Sequence, residues 1–181
     1  MNRRDFFKYM GCFGIFSFFP KSSLARVINS IYDEERLLYF YNIHTGEYLK
    51  EVYWFRGNYN EESLKKIFYI LRDFRVNEIK PIDVKLLDTI YILRKVLEVE
   101  NKPINIISGY RSPKTNNLLR EKSSGVAKHS LHLEGRAIDI NIEGIPLSTL
   151  RDAAKSLKAG GVGYYPSSGF VHIDTGRIRY W

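Results

Sequence analysis

Three side chains in the C-terminal half of the chain have types and a spacing that suit a metal ion. Six residues separate His132 from Asp139, and a second histidine, His172, lies in the later strand-like segment 170–174. Zinc binds neutral imidazole nitrogen and carboxylate oxygen, and a catalytic zinc site keeps a fourth position open for water. Each residue alone is weak evidence, since a single histidine or aspartate in a strand is usually structural. Together the three residues predict a candidate metal site.

Two expected strands must bring these side chains together. Isoleucines alternate with other residues in the segment 136–142, so that Asp139 falls on the face opposite the isoleucines. In the later segment, His172 and Asp174 share one face. If the two strands are neighbours, His172 comes close to Asp139, and the turn that holds His132 can reach the same point.

The remaining pattern predicts the scaffold. Apolar residues recur at the three-and-four spacing of amphipathic helices after two capping residues, Asn60 and Asp83. Aromatic and branched residues on either side of a turn predict a hairpin. In chain order the expected elements are a hairpin at 37–55, helices at 60–74 and 83–97, a strand at 103–107, a helix at 113–121, a strand at 136–142, a helix at 147–157 and a second hairpin at 162–175. Such a mixture is typical of an α+β domain.

Composition and charge narrow the class of protein. The chain has 181 residues, of which 44% are hydrophobic and 27% are charged, and this indicates a single globular domain. Its formal net charge of +8 favours acidic partners such as nucleic acid, an anionic membrane or the glycan-peptide of a cell wall. The basic residues are spread along the chain, so nucleic acid is the weakest of these options and is not an expected partner. Cys12 is the only cysteine, which excludes a disulfide framework and a cysteine-rich metal site.

The N-terminus has the features of an export signal. Residues 2–8 resemble the twin-arginine signal, with two departures from its usual pattern. The apolar run that follows is too short to span a bilayer comfortably, and residues 23–25 suit a signal-peptidase cut. We therefore predict a twin-arginine signal peptide at 1–25, export by the twin-arginine translocase, and a single periplasmic domain at 26–181 without stable membrane insertion. A buried or amphipathic N-terminal helix is the alternative.

Four short motifs, in this order, resemble those of the zinc D-Ala-D-Ala carboxypeptidase superfamily. They are Ser108-Gly109-Tyr110-Arg111-Ser112, Ser130-x-His132-x-x-Gly135-x-Ala137-x-Asp139, Gly161-Val162-Gly163-Tyr164-Tyr165 and Phe170-Val171-His172-Ile173-Asp174. Within this superfamily the chain resembles the YcbK-like or MepK-like murein endopeptidases in particular. The resemblance extends from about residue 38 to residue 181 and includes the twin-arginine leader.

The resemblance implies a fold, an ion and an activity. The fold is an α+β domain in which a small antiparallel sheet carries the site and packs with several helices, as in hedgehog and D-Ala-D-Ala-peptidase domains. The ion is Zn²⁺, held by His132, Asp139 and His172. The activity is zinc-dependent hydrolysis of the peptide cross-links of peptidoglycan.

The resemblance also implies roles for two polar side chains near the ion. Arg111 binds a carboxylate of the substrate or the oxyanion of the tetrahedral intermediate, for which its fixed charge and forked donors are suited. The alternative is a salt bridge that holds the loop after Ser108. Ser130 orients a metal ligand by hydrogen bonding.

Aromatic residues near the motifs are candidate walls of the substrate groove. Tyr110 and Tyr164 are expected to contact the substrate, and Tyr165 and Trp181 are further candidates. Aromatic side chains at strand ends are more often part of the core, so this assignment has a structural alternative.

The general base is the residue that the resemblance leaves open. Relatives place an acidic residue three positions before the last zinc-binding histidine, where this chain has Gly169. Asp174 is the nearest carboxylate, and it either deprotonates the attacking water or holds an imidazole or Arg111 in position. His129 is the other candidate acid–base group, unless it is a solvated loop histidine.

Two other functions remain open at the level of sequence. A D,D-carboxypeptidase would trim stem peptides from a closed pocket, whereas an endopeptidase needs an open groove. A non-catalytic peptidoglycan-binding module would keep the zinc without turnover, as the glycine in place of the base would allow.

Overall fold

The computed structural model describes residues 33–122 and 127–181, and the predicted signal peptide, with Cys12, lies outside them. The described residues form one eight-stranded sheet and four α-helices. The strands are β1 (Glu35–Asn42), β2 (Tyr48–Phe55), β3 (Asn58–Tyr59), β4 (Ile104–Ser108), β5 (Ala137–Asn141), β6 (Gly161–Tyr165), β7 (Phe170–Asp174) and β8 (Arg179–Tyr180). The helices are α1 (Glu61–Ile70), α2 (Val84–Leu97), α3 (Pro113–Lys122) and α4 (Leu147–Leu157).

The sheet is mixed, with the strand order β3-β2-β1-β4-β5-β7-β6-β8. Two pairs, β1 with β4 and β6 with β8, are parallel, and the other pairs are antiparallel. The chain passes through α1 and α2 between β1 and β4, and a parallel pairing requires such a long connection. The α+β prediction is confirmed. The sheet is larger than the small antiparallel one that the resemblance implied, because the N-terminal hairpin joins it.

Strand alternation gives the sheet two different faces. One face packs with α1, α2 and α4 to form the core, in which Phe40, Ile140 and Val171 are fully buried. Because successive residues point to opposite sides, Asp139 and His172 lie on the other face. We call this second side the open face. The candidate metal site is therefore built on the open face of strands whose opposite side is fixed by the core.

The predicted helix starts are confirmed by their caps. The Asn60 side chain accepts hydrogen bonds from two backbone amides at the start of α1, and Asp83 accepts one at the start of α2. These bonds satisfy amide groups that have no partner within the helix. No helix in the described part of the chain is both long enough and apolar enough to cross a bilayer.

Candidate metal centre

Asp139 and His172 meet because β5 and β7 pair in register. The two residues lie directly opposite each other, and His172 Nδ1 is 2.8 Å from Asp139 Oδ1. His132 comes from a short 3₁₀ turn, Leu131–Glu134, just before β5. Its Nε2 is 3.2 Å from His172 Nδ1 and 3.3 Å from Asp139 Oδ1. Two imidazole nitrogens and one carboxylate oxygen therefore converge at one buried point.

The position of His132 is fixed by the ends of its turn and by its second ring nitrogen. Ser130 caps the turn and accepts a hydrogen bond from the His132 amide, as expected for a residue that orients a ligand. Gly135 ends the turn with φ +68°, and a Cβ there would lie 2.3 Å from the carbonyl oxygen of Pro81. His132 Nδ1 is 2.7 Å from the carbonyl oxygen of Gly109, to which it donates. The lone pair of Nε2 is thus left to face the centre.

Asp174 fixes the orientation of the His172 ring in the same way. Its Oδ2 lies 3.0 Å from His172 Nε2 and accepts a hydrogen bond from it. Arg179 donates to both carboxylate oxygens, at 2.7 and 3.1 Å. The amides of Gly161 and Gly176 donate to Oδ1, at 3.0 and 2.8 Å. Such outer contacts fix the tautomer and the orientation of a metal-binding imidazole.

The charges of the centre favour a cation. Burial alone would raise the pKa of Asp139, but the adjacent His132 and His172 outweigh it and hold that pKa well below its usual range. Burial alone would lower the pKa of His172, but hydrogen bonds to Asp139 and Asp174 raise it to about 9. The two carboxylates therefore stabilise positive charge at this point, which is the electrostatic requirement of a divalent ion.

The donor set fits a catalytic metal ion. The three ligand atoms lie within 4.8 Å of one another, and the outer nitrogen of each imidazole already has a protein acceptor. The three side chains line a cavity of about 380 Å³. Three protein ligands with one open side are typical of catalytic zinc sites, whereas structural zinc sites are closed by four.

Arg111 brings a fixed positive charge to the edge of the centre. Its Nη2 is 3.6 Å from Asp139 Oδ2, and its two Nη atoms donate weakly, at 3.4 Å, to Asn116 and Ser108. Its Nε is buried without a hydrogen-bond partner among the described residues. The guanidinium lines the cavity, where it can bind an anionic group.

The loop that carries Arg111 is docked onto the end of α1. The Tyr110 amide donates to the Leu71 carbonyl at 2.7 Å, and the Ser112 amide donates to Asp73 at 2.9 Å. A Cβ on Gly109 would lie 2.4 Å from the same Leu71 oxygen, so only glycine allows this approach. The contacts hold both Arg111 and the Gly109 carbonyl that binds His132.

Three aromatic side chains line the cavity. Tyr165 and Phe170 stack with their centroids 4.7 Å apart, and Trp181 donates its indole hydrogen to the Tyr165 hydroxyl at 2.7 Å. The Trp181 ring also lies 5.4 Å from the His172 ring. A Cβ on Gly163 would come within 2.7 Å of the indole, so glycine makes room for it. The sequence pointed to Tyr165 and Trp181 but not to Phe170.

The two tyrosines that were predicted to bind substrate do not reach the cavity. Tyr110 is buried, and its hydroxyl donates to Glu78; burial and this bond raise its pKa to about 12. Tyr164 follows Gly163 on β6 and points to the opposite face, where Arg151 covers its ring. The motifs gave the order of these residues, but not the burial of Tyr110 or the side of β6 that Tyr164 faces.

The structure also does not favour either predicted base. Asp174 is 1% exposed, and hydrogen bonds from His172, Arg179 and two amides occupy both of its oxygens. It is placed to hold His172 and not to meet a water molecule. His129 is exposed and does not line the cavity. Arg179 was missed by sequence reasoning, because only the pairing of β6 with β8 brings it to Asp174.

Comparison with known proteins decides the family. A family model described as "Peptidoglycan L,D-endopeptidase MepK" matches residues 30–181. The chain belongs to this family. It is 52% identical over 146 residues to the Peptidoglycan L,D-endopeptidase MepK of Escherichia coli (strain K12), which covers 81% of this chain and 80% of that protein. It is 41% identical over 180 residues to the probable peptidoglycan L,D-endopeptidase MepK of Haemophilus influenzae, with 99% and 95% covered. The family predicted from the four motifs is confirmed.

Proposed function

We propose that this protein is a zinc-dependent endopeptidase that hydrolyses peptide cross-links of peptidoglycan. The observation that carries the proposal is the convergence of His132, Asp139 and His172 in the lining of an open cavity, in a chain of the MepK family. The names of both relatives specify peptidoglycan and an L,D bond, and we infer the same substrate class here.

Zn²⁺ is the ion that suits these donors best, through Nε2 of His132, Nδ1 of His172 and the carboxylate of Asp139. When bound, it supplies a Lewis acid that polarises the scissile carbonyl and activates the attacking water. The Gly109 carbonyl and the Asp174 carboxylate keep each imidazole in the tautomer that points a lone pair at the centre. We assign Asp174 and Ser130 to positioning.

Arg111 supplies the fixed charge of the reaction. The scissile carbonyl oxygen becomes negative as water adds, and a buried guanidinium beside the centre stabilises that charge without having to move. The same group can bind a free carboxylate of the stem peptide, since the guanidinium lines the cavity and its Nη atoms have only weak hydrogen bonds, at 3.4 Å, to Asn116 and Ser108. Its 3.6 Å contact with Asp139 holds it in place for either role.

The shape of the site supports an endopeptidase over a carboxypeptidase. Phe170 lies between the cavity and the rest of the open face, which the helices packed on the core side do not cover. A cross-linked substrate needs room for chain on both sides of the scissile bond. A carboxypeptidase needs a wall on one side, whereas the open face beside Phe170 could hold further substrate chain.

We further propose that the protein acts in the periplasm after export by the twin-arginine translocase. This proposal is supported by the resemblance of residues 2–8 to a twin-arginine signal and by a proposed substrate that lies outside the cytoplasm. Replacing Arg3 and Arg4 together by lysine is expected to retain the protein in the cytoplasm, measured by cell fractionation. Unchanged recovery from the periplasm would contradict this route.

Digestion of purified cross-linked peptidoglycan tests the proposed activity. We expect loss of cross-linked dimers, which a chelator and His172→Ala each abolish and which added Zn²⁺ restores after chelation. His44→Ala is the matched control, because His44 is an exposed imidazole whose contacts are Ile107 and Phe74, outside the centre. Release of terminal residues from intact dimers would instead establish a carboxypeptidase. Bound metal with no product would establish a binding module.

A further inference from the structure

A row of six side chains crosses the open face beside the metal centre. Within it, Tyr48 lies directly opposite Tyr41, Tyr41 opposite Asn105, and Asn105 opposite Asn141. Directly opposed residues in a sheet share a face. We call this set the cross-sheet row, and its members are Tyr48, Tyr41, Asn105, Asn141, Phe170 and Tyr165.

The far end of the row enters the cavity of the metal centre. Asn141 donates its side-chain amide to the Gly169 carbonyl at 2.8 Å, next to Phe170 on the neighbouring strand. Phe170 lies opposite Tyr165, and both line the cavity. The row thus crosses six adjacent strands, a span of about 24 Å at a strand spacing of about 4.8 Å.

The row has a stacked pair of aromatic rings at each end and two asparagine side chains between them. Tyr41 and Tyr48 stack at 4.3 Å with an angle of 22° between their rings, and Phe170 and Tyr165 stack at 25°. Tyr48 is 61% exposed, and the other members are half-buried. Between the pairs, the Asn105 side-chain nitrogen donates to the Asn141 side-chain oxygen at 2.8 Å. The side-chain oxygen of Asn105 accepts no hydrogen bond from the described residues.

This pattern matches the chemistry of N-acetylated sugars. Pyranose rings present C–H faces that stack on the electron-rich faces of aromatic rings. Their acetamido groups carry one donor and one acceptor, which an asparagine side chain can pair with at the same time. We propose that the cross-sheet row binds the glycan strand of peptidoglycan through its N-acetylated sugar rings. The choice of this glycan rests on the function proposed above.

Other occupants fit the row less well. An extended peptide adds to a sheet through the free backbone groups of an edge strand, but the row consists of side chains on a face of the sheet, and its four inner strands β1, β4, β5 and β7 are each paired on both sides. A nucleic acid or an anionic membrane would require a line of basic side chains, and the six members are uncharged. The row offers side-chain stacking and amide contacts, which suit a neutral sugar chain.

The proposal explains how the cross-link would reach the metal ion. Asn141 is two residues from Asp139 along β5, and Phe170 is two residues from His172 along β7, a distance of about 7 Å in each strand. A glycan strand on the row would therefore present its attached stem peptides beside the three metal ligands.

Titration with a peptide-free probe tests the inference. The full chain is titrated with oligomers of N-acetylglucosamine, and binding is followed by calorimetry and by amide NMR shifts. We expect shifts along the row, and affinity about three- to tenfold lower in Tyr48→Ala and in Asn105→Ala. Tyr69→Ala is the matched control, since Tyr69 is a 45% exposed tyrosine on α1, outside the row.

Two results would overturn the inference. One is equal affinity in the wild type, Tyr48→Ala and Asn105→Ala, or no binding of the oligomers. The other is a shift of the row by a sugar-free cross-linked peptide but not by the oligomers, which would assign the row to the stem peptide. Hydrolysis of that sugar-free peptide is measured in parallel. Hydrolysis without glycan binding rejects only the inference, and glycan binding without hydrolysis rejects only the peptidase.

Discussion

At the scale of single residues, the metal centre depends on groups that never touch the ion. Gly109 and Asp174 each accept a hydrogen bond from the outer nitrogen of an imidazole, and Arg179 neutralises the carboxylate. The Asp174 carboxylate, which is buried and accepts five hydrogen bonds from four residues, costs little to keep ionised and holds His172 rigidly. The contacts of Asp174 therefore favour a residue that orients a metal ligand over one that transfers a proton.

Asp174→Asn distinguishes these two roles. We expect the dissociation constant for Zn²⁺ to rise about 10- to 100-fold, because the amide no longer fixes His172 as a carboxylate does. A competition titration against a chromophoric chelator measures the change, with the exposed Asp152→Asn as control. Unchanged zinc affinity together with lost turnover would instead make Asp174 the general base.

Arg111→Gln tests the fixed charge. We expect kcat/KM on cross-linked muropeptide to fall about 10²- to 10³-fold with zinc content unchanged, because the lost donor acts on the developing negative charge. Metal content is measured alongside the kinetics. Arg151→Gln, on the opposite face of the sheet, is the control. A parallel loss of zinc would show that Arg111 only holds Asp139.

At the scale of elements, two short connections position groups of the metal centre. The turn 131–134 depends on Gly135, which has φ +68° and stands against the Pro81 carbonyl. The loop after β4 depends on Gly109 and on Asp73, three residues after α1. Each connection therefore ties the centre to the segment between α1 and α2.

Gly135→Ala tests the turn, with Gly46→Ala as the matched control. Both glycines have positive φ, but nothing lies within 4 Å of a Cβ on Gly46. We expect Gly46→Ala to lower the free energy of unfolding by about 1–2 kcal/mol through backbone strain alone. Gly135→Ala should lower the free energy of unfolding by about 1–3 kcal/mol more, because its Cβ would clash with the Pro81 carbonyl. It should also weaken zinc binding, because the turn positions His132. Urea unfolding and zinc titration measure both; equal effects in the two variants would contradict the role of Pro81.

Asp73→Asn tests the loop that carries Arg111. Burial alone would raise the pKa of Asp73, but hydrogen bonding by its neighbours, including the Ser112 and Arg75 amides, outweighs it and lowers that pKa. A lowered folded-state pKa means that the ionised group stabilises the fold above its unfolded pKa of about 3.9, and that this contribution is lost as pH falls through the folded value. We expect Asp73→Asn to cost about 1–3 kcal/mol at pH 7 and less at pH 3, by urea unfolding. A cost that does not change with pH would contradict the ionic role.

Sequence reasoning found the elements and the three side chains that converge, but not the surroundings of the site. Alternation in 136–142 placed Asp139 opposite the isoleucines, and capping residues located α1 and α2, because these signals are local. The contact of Arg179 with Asp174 could not be found, because it depends on a two-residue strand paired at long range. Likewise, the side of the sheet that Tyr164 faces could be known only from the register of β6 with β7.

At the scale of the whole molecule, the proposed metal ion would link two strands and a turn of the fold. The ligands come from β5, β7 and the turn before β5, so an ion that binds only the native chain stabilises the fold by mass action. At 100 times its dissociation constant the gain is about 2.7 kcal/mol, which is roughly 5–10 °C in Tm for a domain of this size. We expect a chelator to lower Tm of the wild type by this amount and to leave His132→Ala unchanged. An equal shift in both proteins would contradict metal binding at this centre.

The parallel pairing of β1 with β4 has a consequence for how the chain folds. Phe40 lies opposite Ile104, more than 60 residues later in the sequence, whereas the three metal ligands lie within about 40 residues of one another. Contacts between distant residues must overcome a larger loop-closure entropy and raise the contact order, which slows folding. We therefore expect the ligand-bearing half to form first as a local unit and the N-terminal hairpin to complete the sheet in a later and slower step. Until that step, β4 has an unpaired edge open to intermolecular strand pairing, so this interval is when the chain is most prone to aggregate.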